Sequence, residues 1–168
     1  MTPRERVVRV LAGQIPDRVP MFDAYWVTTI ERWRREGLPA GVSPQAYLGV
    51  DDIVRLSGDY TMQMPEHVLE EREGERLYWD ADGALRRDLH VAEGWTSQWL
   101  DFTVKTPDDW RRLRDRMAFR ASRIPGGTLE AYAKARAAGK FICYSAHACF
   151  HPTWMRIGME QMLMWMLD

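Results

Sequence analysis

Thr2-Pro3-Arg4-Glu5-Arg6-Val7-Val8-Arg9-Val10-Leu11-Ala12-Gly13, running on into Gln14-Ile15-Pro16-Asp17-Arg18-Val19-Pro20-Met21-Phe22-Asp23, is the stretch on which the reading of the fold turns. Thr2 suits a helix N-cap, and Glu5 completes a capping box with it. Pro3 fits the first helical position, where a missing N–H costs nothing. Val7, Val8, Val10 and Leu11 form an apolar stripe that Gly13 ends. Pro16 and Pro20 bound a connection into a short buried strand, Val19 to Phe22. Helix, tight turn and buried strand together open an α/β unit.

Working outward, Thr28 to Glu36 reads as a charged helix stopped by Gly37 and Pro39, with Arg32, Arg34 and Arg35 on its solvated face. A short helix, Pro44 to Leu48, precedes a second strand, Asp52 to Leu56. Residues 66–91 change character: Val68 to Arg72, Arg76 to Trp79 and Ala84 to Leu89 read as strands separated by Glu73-Gly74 and Asp80-Ala81-Asp82-Gly83. An Asp-Gly pair between strand-like runs signals an antiparallel hairpin. The same acidic loop lacks the later ligands of a calcium site, so turn chemistry accounts for it. Beyond a stretch marked by Trp95 and Trp99, Thr106-Pro107-Asp108-Asp109 starts a capped helix to about Met117. Ser122 to Gly127 is a linker, and Thr128 caps an alanine-rich helix ending at Gly139. A third strand runs from Phe141 to about Ala146, and an apolar helix follows from Pro152. The pattern is α/β with an antiparallel insertion, compatible with a doubly wound sheet or a barrel. No Gly-x-Gly-x-x-Gly follows any strand, against a dinucleotide-binding sheet.

Composition narrows the class. The 168 residues are 46% hydrophobic, 28% charged and 11% aromatic, as in globular proteins. A net charge of −1, from 23 basic and 24 acidic residues, gives no bulk attraction to nucleic acid or anionic lipid. No signal peptide or membrane span is legible, and two cysteines on one short segment are no disulfide framework. A cytoplasmic protein without a nucleic-acid or membrane partner is expected. Met162 to Leu167 is an unbroken apolar run at the end of the sequence. A helix apolar on every side needs neighbours on every side. The expectation is that further protein follows, or that a second copy covers residues 154–168. The methionines of this helix read as core.

The opening stretch, with its Gly-x-x-Pro-Asp-Arg-Val-Pro turn, resembles the start of the uroporphyrinogen decarboxylase family. Leu48-Gly49-Val50-Asp51-Asp52-Ile53-Val54 with Ser57-Gly58-Asp59 is similar to that family's second-strand region. Val104 to Trp110 and the segment around Gly158-Met159-Glu160 carry the same flavour. The resemblance implies one domain over residues 1–168, the N-terminal half of a (β/α)8 TIM barrel with residues 66–91 inserted. A closed barrel needs at least about 200 residues and carries its chemistry at the C-terminal ends of its strands. The remaining barrel is therefore expected beyond Asp168, and this part alone is expected to be inactive.

On that footing the residues after each strand face the active end. These are Asp23, Tyr25 and Trp26 after the first, Asp59 and Tyr60 after the second, and Tyr144, His147, Phe150 and His151 after the third. Asp59, Tyr144 and His147 are the candidate catalytic residues; Asp23, Tyr25, Trp26, Tyr60 and Phe150 are the candidate substrate contacts. Asp59 occupies a place similar to the family aspartate that accepts hydrogen bonds from pyrrole N–H groups, a task suited to an acceptor-only carboxylate. Its alternative role is to cap a turn after Ser57-Gly58. True decarboxylases carry an Arg-Gln-Ala-Gly-Arg-like element after the first strand, whereas this chain reads Asp23-Ala24-Tyr25-Trp26-Val27-Thr28-Thr29. That departure turns the resemblance toward the family's methylcobalamin-dependent methyltransferases. The ligand expected is a tetrapyrrole or a methyl donor. No cofactor is implied for a decarboxylase; zinc and a corrinoid are implied for a methyltransferase, with the zinc ligands beyond Asp168. His147, Cys149 and His151 alternate and would share one face of an extended chain, but they fall too early for the family's zinc pair. They read as packing or pocket lining. The other reading of the chain is a non-catalytic protein whose apolar last helix is an oligomer interface.

Overall fold

The computed structural model describes residues 1–91, 94–147 and 149–167, so Ala148 of the His147–Cys149 stretch and Asp168 lie outside the described residues. In chain order the elements are helices α1 (Pro3–Leu11), α2 (Val27–Glu36) and α3 (Pro44–Leu48), then strand β1 (Ile53–Leu56). Four strands follow: β2 (His67–Arg72), β3 (Glu75–Trp79), β4 (Ala84–Val91) and β5 (Gly94–Phe102). After them come α4 (Pro107–Leu113), α5 (Thr128–Ala137), strand β6 (Phe141–Tyr144), α6 (Phe150–Ile157) and α7 (Met159–Trp165). The fold is mixed α/β, with a parallel pair β1-β6 and a four-stranded antiparallel sheet in the order β2-β3-β4-β5. Contacts divide the chain into two units, Met1–Ser57 with Ile124–Ser145, and Gly58–Arg123 with Ala146–Asp168.

In the first unit β1 and β6 run parallel with Ile53 opposite Phe141 and Leu56 opposite Tyr144. Ser145 N–H extends the ladder to the Leu56 carbonyl at 2.8 Å. Helix α5 packs on both strands and α1 on β6. The capping box of α1 forms as read: Thr2 Oγ1 accepts from Glu5 N–H and Glu5 accepts from Thr2 N–H. Thr128 does not cap α5. It is the first helical residue, and its hydroxyl donates to the Pro125 carbonyl at 2.7 Å, while Gly127 holds the cap position. Arg34 also departs from its expected solvated role: its guanidinium donates to the carbonyls of Leu38, Pro39 and Val42 and ties down the loop after α2.

An ion cluster joins the two ends of this unit's N-terminal half. Arg6 forks onto both oxygens of Asp17 at 2.7 and 2.8 Å and also donates to Asp51 Oδ1. Arg18 donates to Asp51 Oδ2 at 2.8 Å, and Met21 N–H donates to the same oxygen at 2.9 Å. The hydrogen bond from Arg6 holds the Asp17 carboxyl well below the usual carboxylate range, and the Arg6 guanidinium rises correspondingly. Asp51 is fully buried, yet each of its oxygens meets a guanidinium donor, the condition under which a buried charge is tolerated. The expected strand Val19 to Phe22 does not form. Only Met21 pairs, its carbonyl accepting from Asp51 N–H, and Pro20 beside it has no N–H to prolong a ladder.

The second unit is built on the antiparallel meander, and the Asp-Gly hairpin is confirmed. Asp80 Oδ1 accepts from the N–H groups of Asp82 and Ala84, both at 2.9 Å, so that carboxylate closes the turn. Strand β5 is the element the sequence did not show. Its burial alternates from Thr96 to Leu100, but Ser97 and Gln98 blur the apolar alternation by which a half-buried strand is read. The helix from Pro107 is shorter than expected and tightens into a 3-10 turn over Arg114–Met117. The last helical stretch is two helices, broken at Gly158. A Cβ there would stand 2.7 Å from the Phe102 ring, and φ is +85°. Met62, Val104, Ile157 and Met162 form the core, with Met64, Leu113, Met117, Trp154 and Trp165 packed around it. Burying side chains of this size contributes about 1.5–3 kcal/mol each. Met162 alone of the α7 methionines is buried; Met159, Leu163 and Met164 are exposed, as are Met166 and Leu167 beyond the helix. The core reading of that helix therefore holds for one face only. No helix among the described residues is long and apolar enough to cross a membrane.

Candidate functional site

The residues singled out from sequence divide between the units. In the first, Asp23 Oδ1 accepts from Ala24 N–H at 2.7 Å and so closes its own turn. Tyr25 meets Trp33 of α2 edge to face, ring centroids 5.0 Å apart. Trp26 stands at the N-cap of α2 without a side-chain capping bond and is 75% exposed. Tyr144 is the last residue of β6 and is 64% exposed. It lies at the C-terminal end of a parallel pair, the end at which α/β folds carry their chemistry because loops there are free of the ladder.

In the second unit Asp59 is the best-defined candidate. Its Oδ1 accepts from Thr61 N–H at 2.9 Å and Thr61 Oγ1 at 2.7 Å, and its Oδ2 accepts from Gln63 Nε2 at 2.7 Å. The Thr61 hydroxyl first, then Gln63 and the nearby Arg123, hold the carboxyl below its ordinary range against the opposing effect of burial. Asp59 is thus an ionised acceptor with a third of its side chain open to solvent. Its bonds also make it the cap of a local turn, the other role read for it.

Arg123 underlies that turn, and nothing in the sequence marked it. From within a Pro/Gly linker its buried guanidinium donates to the carbonyls of Asp59 at 3.0 Å, Thr61 at 2.8 Å and Ala118 at 3.1 Å. It also donates to the Arg116 carbonyl. Gln63 takes a left-handed conformation, φ +49°, unusual for a residue with a side chain. Three bonds hold it there: its N–H donates to Thr61 Oγ1, its amide donates to Asp59 Oδ2, and its carbonyl accepts from Arg116. Strain persists where surroundings over-determine a residue. Gln63 also borders an open cleft of about 380 Å³ with Met62, Asp115, Arg116 and Arg120. No periodicity or motif would have found Arg123, because it acts on Asp59 and Thr61 through contacts distant in sequence, whereas two of the Gln63 bonds stay within four residues and one reaches the distant Arg116.

Tyr60 contributes its carbonyl to Arg156, whose guanidinium also pairs with Asp82 at 2.9 Å. Burial raises the Asp82 carboxyl above its ordinary range, with Arg156 opposing. His147 stacks on His151 at 4.8 Å, His151 meets Trp154 at 5.3 Å, and Trp154 meets Trp99 at 5.0 Å. Arg86 caps the Trp99 face at 4.9 Å. Phe150 opens α6 and is exposed. The zinc arrangement considered for His147, Cys149 and His151 does not fit. Cys149 leaves the extended conformation to become the N-cap of α6, which removes the shared face, and the two imidazoles present ring faces to one another. No group of three or more His, Cys, Asp or Glu among the described residues is placed to hold a metal ion.

Comparison of the chain with protein-family models, curated proteins and solved structures finds no match.

Proposed function

We propose that the chain is the N-terminal part of a uroporphyrinogen-decarboxylase-like (β/α)8 barrel whose whole acts on or beside a tetrapyrrole. The observation that supports this reading is the Arg6–Asp17–Arg18–Asp51 cluster. The two stretches that carry the resemblance, residues 2–23 and 48–54, are far apart in sequence, yet their charged residues bond to one another ahead of a parallel strand pair. A motif that clasps the first helix to the strand it precedes has a physical reason to recur in a barrel. Asp59, ionised and partly open, suits the acceptor role toward pyrrole N–H groups. A pyrrole carbon gains positive charge when protonated during carboxylate loss, and a fixed anion nearby stabilises it.

One feature favours the methyltransferase branch. The place of the arginine element holds Tyr25 braced on Trp33 and the exposed Trp26, aromatic surface suited to a flat corrinoid or a methyl donor rather than to carboxylates. The test titrates the full-length gene product with uroporphyrinogen, read by tryptophan quenching, and with methylcobalamin, read by its visible absorption. Saturable binding of the first, weakened in Asp59→Asn, supports the decarboxylase-like reading. Binding of the second alone supports the other branch, and binding of neither overturns the proposal.

A further inference from the structure

The first unit carries a groove of about 300 Å³ lined by Trp33, Glu36, Leu38, Pro44, Tyr47 and Leu48, the lower end of the size range of small-molecule sites. We infer that this groove binds a small methylated ammonium cation of the trimethylammonium type. Two aromatic side chains, one from α2 and one from α3, line a single small space, and ring faces attract cations through their quadrupoles. Glu36 adds a carboxylate at the rim, and the C-terminal end of the ten-residue α2, where unpaired carbonyls concentrate partial negative charge, opens onto the same space.

The positive charge of Arg34 is engaged elsewhere. The Arg34 guanidinium is committed to the carbonyls of Leu38, Pro39 and Val42. Arg32 meets Glu36 Oε1 at 2.7 Å, and both side chains are more than half exposed, a surface pair of little strength. The buried wall, Leu38 and Pro44, is apolar. A bare ammonium would lose hydration against that apolar side, whereas methyl groups around the nitrogen pack on it and leave the charge to the rim carboxylate. An anion would meet the Glu36 carboxylate and the ring faces, both of which repel it.

The groove is also held in shape. Gly37, at φ +117°, ends α2, and Arg34 ties the loop from Leu38 to Val42. Ser43 Oγ caps α3 by accepting from Ala46 N–H at 3.1 Å, and Tyr25 packs edge to face with the Trp33 ring. Such preorganisation lowers the ordering cost of binding.

The test titrates the whole chain with choline and with its uncharged carbon isostere 3,3-dimethylbutan-1-ol. Calorimetry gives affinity, and the indole N–H resonance of Trp33, assigned with Trp33→Phe, gives location. Choline saturates and binds roughly tenfold more tightly than the isostere, the size of one to two desolvated cation–aromatic contacts. Tyr47 is 60% exposed, so Tyr47→Leu keeps the fold while weakening choline binding, and Tyr47→Phe retains it. Glu36→Gln weakens choline without affecting the isostere. Equal affinity for choline and isostere, absence of saturation, or an unchanged choline affinity in Tyr47→Leu each overturns the inference. The Tyr47 comparison decides even where Trp33 variants fail to fold.

Discussion

Asp51→Ala removes one carboxylate from three donors at once: the guanidinium groups of Arg6 and Arg18 and the N–H of Met21. Asp51 is 2% exposed, so water does not take its place. Breaking a buried ion pair from one side leaves an uncompensated charge, which costs about 3–5 kcal/mol. Arg6 keeps its fork on Asp17, whose side chain is 40% exposed, and this places the expected loss at the lower end of that range. With urea slopes of about 1–3 kcal/mol per molar, a loss of about 3 kcal/mol lowers the midpoint by roughly 1–3 M. The assay is urea unfolding combined with hydrogen exchange at the α1 amides, which reports on the first unit separately. The paired change Arg6→Met with Asp51→Leu removes both charges and returns much of the lost stability, because no buried ion is left alone. A loss below about 0.5 kcal/mol for Asp51→Ala, the range of an ordinary surface substitution, would refute the assignment of this cluster as the clasp of the unit.

The break between α6 and α7 supplies a second test. Gly158→Ala forces a Cβ to 2.7 Å from the Phe102 ring at a φ that side chains avoid, so about 1–3 kcal/mol of stability is lost in thermal or chemical unfolding; an unchanged midpoint contradicts the packing described. A third follows from Asp59, whose carboxyl is held low by Thr61, Gln63 and Arg123. A depressed folded-state value contributes stability that is fully present above the unfolded value, near pH 4, and is lost as the pH falls through the folded value. Stability followed downward through the acid range therefore declines less steeply in Asp59→Asn than in the parent chain, and parallel acid limbs would show that the carboxylate contributes nothing.

Helices were the most legible part. Thr2 and Thr106 each precede a proline and cap the helix they are read to begin, and Ser43, not singled out, caps α3 in the same way, whereas Thr128 stands inside α5. These are local devices, complete within four residues, so neighbours in sequence suffice to recognise them. The first three strands of the meander were legible for the same reason, because Glu73-Gly74 and Asp80 to Gly83 are turns whose chemistry is local. Strand β5 was not, since its partner on β4 defines it more than its own composition does. Val19 to Phe22 failed in the opposite direction: apolar enough for a strand, it pairs its backbone through Met21 with Asp51 and goes no further, and a ladder requires a second strand in register.

The candidate site divides along the same line. Asp59 is picked out by its position after β1; Thr61 and Gln63, which bond its carboxylate, stand within four residues of it, whereas Arg123 comes from far along the chain. The role of Arg123, in a stretch read as a linker, is understandable only once it meets the Asp59 and Thr61 carbonyls of the turn that carries the left-handed Gln63. Arg34, read as one of three solvated arginines, is committed to three carbonyls.

Read alone, the amino-acid order determined where α1, α3 and α4 begin and where β2, β3 and β4 turn into one another, because those outcomes depend on backbone sterics and hydrogen bonds spanning a few residues. Only the tertiary structure decided that β1 pairs with β6, that Arg6 and Asp51 neutralise each other, and that Asp59 rests on Arg123. A charge or a strand edge is indifferent to sequence distance. Its partner is whichever group folding brings within bonding reach and shields from water.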